Sequence, residues 1–98
     1  MENWINKEIN IGQTRQNKTL YVSFIAKPTI KEIHHIIPAC GCTTFRYDDI
    51  DRKLNVTYKA GNIPKQISGN QNINKLITVI YKDGSEDQLF ITGIKTRY

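Results

Sequence analysis

The sequence lacks most of what marks an enzyme or a membrane protein in its residues. No run of about 18 apolar residues occurs, so no membrane-spanning helix is expected. Residues 1–12, MENWINKEINIG, contain neither an apolar core nor a small-residue cleavage site, so no signal peptide is expected. That points to a reducing compartment, where a disulfide would be unusual. The chain contains no G-x-x-x-x-G-K-[ST], G-x-G-x-x-G or H-E-x-x-H pattern, so the commonest phosphate, dinucleotide and zinc-protease devices are absent. Two cysteines are too few for a disulfide framework or a four-thiolate zinc site. No three basic residues stand together, although 14 Lys and Arg face 9 Asp and Glu for a net charge of +5. A basic balance favours an anionic partner, but a footprint is identified by clustering. The chain shows none, so nucleic acid is not expected.

What is present is alternation. Leu20, Val22, Phe24 and Ala26 alternate with Tyr21, Ser23 and Ile25. Leu54, Val56 and Tyr58 alternate with Asn55, Thr57 and Lys59, and Ile77, Val79 and Tyr81 with Leu76, Thr78 and Ile80. Period two in β-branched and aromatic residues predicts strands. Two of these runs are apolar on both parities, which predicts burial on both faces or an outward face that meets a partner. Further strands are expected over 8–11, 30–37 and 43–47. Lys82-Asp83-Gly84-Ser85 predicts a hairpin loop of four to six residues, since Asp-Gly accepts positive φ. Residues 12–18 and 48–51 read as loops, and 59–75 as the longest low-structure segment, a place where function or mobility concentrates. No 3.6-residue apolar stripe lasts three turns. The expectation is one all-β domain over residues 1–98, a β-sandwich of about seven antiparallel strands, with 1–7 as an N-terminal arm.

The stretch PACGCTT holds both cysteines, one residue apart. A metal reading would join Cys40 and Cys42 to His34 or His35, but on a strand the two histidines face opposite ways, which leaves three protein ligands. One imidazole is expected packed and one solvated. A redox reading lacks the C-x-x-C spacing and the following helix that lower a thiol's pKa. A nucleophile reading lacks an acid placed to orient a histidine. The plainer reading is a structural turn, Cys40, Gly41, Cys42 and Thr43, in which Gly41 permits close approach or positive φ and the thiols pack as small apolar groups. No enzymatic activity and no cofactor are expected. Tyr21, Tyr47, Tyr58, Tyr81 and Tyr98 are available for stacking but form no recognisable nucleic-acid motif.

Cys40-Gly41-Cys42-Thr43, together with Leu54–Gly61 (LNVTYKAG), Ile77-Thr78-Val79 and Phe90-Ile91-Thr92-Gly93, resembles a bacterial and phage domain family of unknown function marked by a Cys-Gly-Cys-Thr turn. That family is related to the sandwiches of the major sperm protein, PapD and ASH group. The resemblance covers about residues 8 to 95 and implies an immunoglobulin-like sandwich without catalysis. Family members commonly carry a leader and an Asn-x-Gly turn. Here no leader is seen, and Lys27-Pro28-Thr29 stands in the turn.

Ile, Asn and Lys make up 35 of the 98 residues, the bias of AT-rich coding in a low-GC bacterium or its phages. The expected function is therefore a structural or binding module, a capsid auxiliary or decoration subunit of a tailed-phage virion, located in the virion or host cytoplasm. Its expected partners are proteins of a larger assembly such as a capsid, with no membrane and no small-molecule substrate. Two alternatives are a bacterial domain that binds a partner by strand addition and a thiol- or metal-dependent protein centred on Cys40 and Cys42. The candidate contact residues are Trp4, Lys59, Lys65, Asn70, Asn72 and Lys75.

Overall fold

The computed structural model describes residues 3–38 and 40–97, which form seven strands and no helix. These are β1 (Glu8–Arg15), β2 (Lys18–Ile25), β3 (Ile33–Ile37), β4 (Thr43–Asp48), β5 (Lys53–Ala60), β6 (Gln71–Tyr81) and β7 (Glu86–Thr96). One sheet has the order β1-β7-β6-β3 and the other β2-β5-β4. The expected all-β sandwich is present. One pair departs from the antiparallel expectation: β1 runs parallel to β7, in register from Glu8 opposite Phe90 to Arg15 opposite Thr96.

Alternation explains the core. On β5, Leu54, Val56, Tyr58 and Ala60 are buried, while Lys53, Asn55 and Lys59 are exposed. On β6 and β7 the buried set is Ile73, Ile77, Val79, Tyr81, Leu89 and Ile91. Each fully buried large apolar side chain contributes about 1.5–3 kcal/mol, and this shared interior is what holds the two sheets face to face.

Three expected boundaries move. β1 runs on to Arg15, through residues read as loop, because a register shift between Asn10 and Gln13 turns Thr14 inward. At that irregularity Gly12 has φ +69°, which a glycine adopts without cost. The second boundary is the start of β6. It lies at Gln71, so the long connection shrinks to 61–70, and buried Ile73 anchors the extra turn of strand while Asn72 and Asn74 face out. The third is β3, which begins only at Ile33, with Ile30 packed against the core ahead of it. The hairpin loop of four residues, Lys82–Ser85, falls as expected, with Gly84 at φ +89°.

The arm is not free. Asn3–Asn6 lies along the edge of β2: Trp4 bridges Ala26, the Ile5 amide donates to the Ile25 carbonyl at 2.8 Å, and the Lys27 amide donates to the Asn3 carbonyl at 2.8 Å. The Asn6 side chain extends this pairing by accepting from the Ile25 amide at 2.7 Å. The chain then crosses to the other sheet as β1. Met1, Glu2, Ala39 and Tyr98 lie outside the described residues.

Strand direction sorts the connections by end. Those leaving β2, β4 and β6 lie at one end of a body 44 Å long and about half as wide, and those leaving β1, β3 and β5 lie at the other.

Candidate functional site

β3 is five residues long and β6 eleven, and β3 pairs with β6 only from Tyr81 to Thr78. Among the described residues, residues 71–77 of β6 therefore pair with β7 on one side and have no strand on the other. β3 stops there because Pro38 follows Ile37, and proline cannot donate to a ladder. The gap forms a groove of about 350 Å³ lined by Ile37, Pro38, Asn74, Lys75, Leu76 and Thr78. Ile37 is 44 % exposed and Leu76 37 %, so two large aliphatic side chains face solvent beside unpaired backbone. Leu76 sits opposite Phe90, which is half-buried and extends the apolar surface onto β7. Free backbone donors and acceptors beside alternate apolar side chains are what an added extended segment requires.

The same flank carries a second hollow, of about 570 Å³, between the start of β3 and the end of β4. Its lining mixes Ile30 and Ile33 with Lys31, Glu32, Tyr47, Asp49 and Arg52. Burial, then the nearby Asp49 carboxylate, raises the Tyr47 phenol above its ordinary pKa, while Arg52 opposes them. The Tyr47 ring stands edge-on to Trp4 at 6.3 Å. Phe45 on β4 is 38 % exposed, because the short β3 does not cover it.

The Cys-Gly-Cys turn lies on the β3–β4 connection, next to the groove. Cys40 and Cys42 are joined by a disulfide, Cα–Cα 5.2 Å, which corrects the expectation of two packed thiols. The Cys40 carbonyl accepts from the Thr43 amide at 3.2 Å and from the Thr43 hydroxyl at 3.1 Å, and this starts β4. Gly41 has no positive φ and no neighbour within 4 Å of a would-be Cβ, so neither reason expected for a glycine there applies. The glycine that backbone approach demands is Gly93. A Cβ there would lie 2.7 Å from the Gly12 carbonyl oxygen and 2.7 Å from Ile11 Cγ1.

The remaining candidates separate. His34 sits at the register shift of β3 and both imidazoles are exposed, which corrects the expected packed-and-solvated pair. Among the described residues no three His, Cys, Asp or Glu come together as metal ligands. Trp4 is 1 % exposed, in the core, so it cannot meet a partner. Its indole N–H donates to the Tyr81 hydroxyl at 2.8 Å, and Tyr81 donates to Asp87 at 2.6 Å. Lys59, Lys65, Asn70 and Asn72 are exposed and Lys75 is half-buried. Of the five tyrosines, Tyr58 and Tyr81 are buried, Tyr21 is 78 % exposed and Tyr98 lies outside the described residues. Two of the candidates, Asn72 and Lys75, lie on the open edge of β6 and Lys75 lines its groove, whereas Ile37, Pro38, Asn74, Leu76 and Thr78 were missed. The edge's one signal was the double-parity apolar run around Leu76.

Compared with known proteins, the chain matches no family model, no curated protein and no solved structure.

Proposed function

We propose that this chain is a non-enzymatic, immunoglobulin-like binding module that takes an extended segment of a protein partner beside β6. The immunoglobulin-like reading is supported by strand order. With β2 to β7 lettered B to G, β3-β6-β7 is a C-F-G sheet extended by β1 beside G, β2-β5-β4 is a B-E-D sheet, and the arm lies at the edge of B where strand A would. The observation that carries the binding reading is the unpaired edge of residues 71–77 flanked by Ile37 and Leu76. An added strand there would continue the line of β3 and cover both side chains. The setting we propose is the virion of a tailed phage, with the partner a capsid or tail protein.

The test is selection of extended heptapeptides from a random display library, followed by amide hydrogen exchange on the complex. Expected are binders that slow exchange along residues 71–77 and lose about tenfold affinity on Leu76→Lys, as one buried aliphatic anchor is removed. Binders that protect other strands, or ignore Leu76→Lys, would sink the proposal. For the setting, co-purification of the protein with virions is expected. Virions free of it would exclude that setting.

A further inference from the structure

The carboxylate side chains of the described residues are gathered at one end. No Asp or Glu occurs between Glu8 and Glu32, between Glu32 and Asp48, between Asp51 and Asp83, or after Asp87. Glu32 precedes β3, Asp48–Asp51 turn from β4 to β5, and Asp83–Asp87 span the β6–β7 turn. All three places lie at the same end. The opposite end holds no carboxylate side chain among the described residues, yet half of the fourteen basic residues are there. Arg15 closes β1 opposite Thr96, Lys18 opens β2 opposite Ala60, and Lys59 lies opposite Thr19. Lys65 stands on the 61–70 connection, which the Arg97 guanidinium ties down through the Pro64 carbonyl at 3.0 Å and the Ile67 carbonyl. Lys95 sits opposite Gln71, with Lys75 near it on β6. At the acidic end, by contrast, Lys7, Lys31 and Lys82 pair with Asp87, Asp83 and Glu32. No such pair forms at the basic end among the described residues. Burial, and after it the neighbouring Lys75, lowers the pKa of Lys95.

The neighbours of these cations are donors too. Asn62, Gln66, Ser68, Asn70 and Asn72 are on or beside the same connection, all exposed. Lys, Arg, Ser, Asn and Gln are the side chains that hold phosphate oxygens. A protein partner would need an apolar centre, since charged groups are depleted there. This end offers little apolar surface beyond Ile94, 37 % exposed. Tyr21 adds a stacking surface. It is 78 % exposed on the outer face of β2, opposite Thr57 and diagonal to Lys59. Duplex bases are not free to stack on such a ring, whereas single-strand bases are.

We propose that the basic end and Tyr21 bind single-stranded nucleic acid, with phosphates on Lys18, Lys59 and Lys65 and a base on Tyr21. The test is fluorescence anisotropy with a labelled 20-nucleotide single strand, its duplex, and labelled polyglutamate. For three phosphate contacts, affinity for the single strand should fall about twentyfold between 50 and 200 mM salt. Lys59→Glu/Lys65→Glu should weaken binding about tenfold or more. Lys53→Glu/Lys82→Glu, the same charge change at the acidic end, should have much less effect. Tyr21→Ala should cost about fivefold or more on the single strand. All four side chains reversed in charge are exposed, and thermal melts establish that each variant is folded. Absence of binding at 50 mM salt, equal loss in both double variants, equally tight polyglutamate binding, or equal duplex binding unaffected by Tyr21→Ala would each overturn the proposal.

Discussion

Tyr81 donates a hydrogen bond from its hydroxyl to Asp87 at 2.6 Å while accepting one from the indole N–H of Trp4 at 2.8 Å. Asp87 also accepts from Asn3 at 3.0 Å and pairs with Lys7 at 3.2 Å, so one carboxylate ties the arm to the β6–β7 hairpin. Tyr81→Phe strands a buried indole donor and should cost about 1–3 kcal/mol. Trp4→Ala should cost about 3–5 kcal/mol by opening the core. Urea melts check both.

The same carboxylate makes stability depend on pH. Burial pushes Asp87 up, but hydrogen bonds from Tyr81, Asn3 and Lys7 outweigh it and hold the group below its ordinary value. A depressed folded-state pKa gives stability that is fully present above the unfolded value, about 3.9, and lost as pH falls through the folded one. Wild-type protein should therefore lose stability below about pH 4, and Asp87→Asn should flatten that part of the curve. Urea midpoints at pH 7 and pH 2.5 measure it. An unchanged slope in the variant would locate the dependence elsewhere, Asp83 being the next group, held down to about 2 mainly by hydrogen bonds from Ser85.

Two glycines should behave oppositely. Gly93→Ala drives a methyl into the Gly12 carbonyl and should cost about 1–3 kcal/mol while loosening β1 from β7. Gly41→Ala meets nothing within 4 Å and should stay within about 0.5 kcal/mol of wild type. Chemical denaturation of the two variants side by side is the check.

The Cys40–Cys42 bond closes a loop of minimal length, with sequence separation 2. Loop-closure entropy for so short a ring is about 1.6 kcal/mol at most, against about 3 kcal/mol for fifteen residues. Cys40→Ser/Cys42→Ser should therefore lose no more than about 1.6 kcal/mol and keep its strands. Melts with and without reductant, alongside the double variant, measure the loss.

Lys95 is 8 % exposed in a region without carboxylate side chains among the described residues, and its charged form is disfavoured there by burial and by Lys75. A lowered lysine pKa penalises the folded state while the amine is protonated, and the penalty fades as pH rises through the folded value toward the unfolded one, about 10.4. Lys95→Met should raise the urea midpoint at pH 7 and bring a smaller gain at pH 10.5.

Strands whose burial rests on their own alternation were legible in the sequence. Leu54, Val56 and Tyr58 mark β5, and Ile77, Val79 and Tyr81 mark the inner face of β6, because a one-residue slip would expose them all. Gln13, Thr14 and Arg15 were not legible as strand. Their pairing is set by β7, some eighty residues on, and no local pattern carries it. Asn72 and Asn74 hid the start of β6 in the same way, since outward positions accept polar residues freely. Trp4 was misread because an arm's burial depends on what lies beneath it. The gathering of charge was invisible for a geometric reason. Lysines and arginines scattered singly become neighbours only when alternate connections are folded to the same end.

The parallel pairing of β1 with β7 also sets an order of events in time. β1 cannot take its place until β7 has been synthesised, and Trp4 cannot close on Tyr81 before the β6 strand exists. During translation the antiparallel set β2, β4 and β5 can form first, its inner face waiting for a second sheet. Pairings this distant in sequence are the slow ones, on the millisecond-to-second scale. Until then, the first strand of the chain is an unpartnered segment, and its docking on β7 completes the four-stranded sheet.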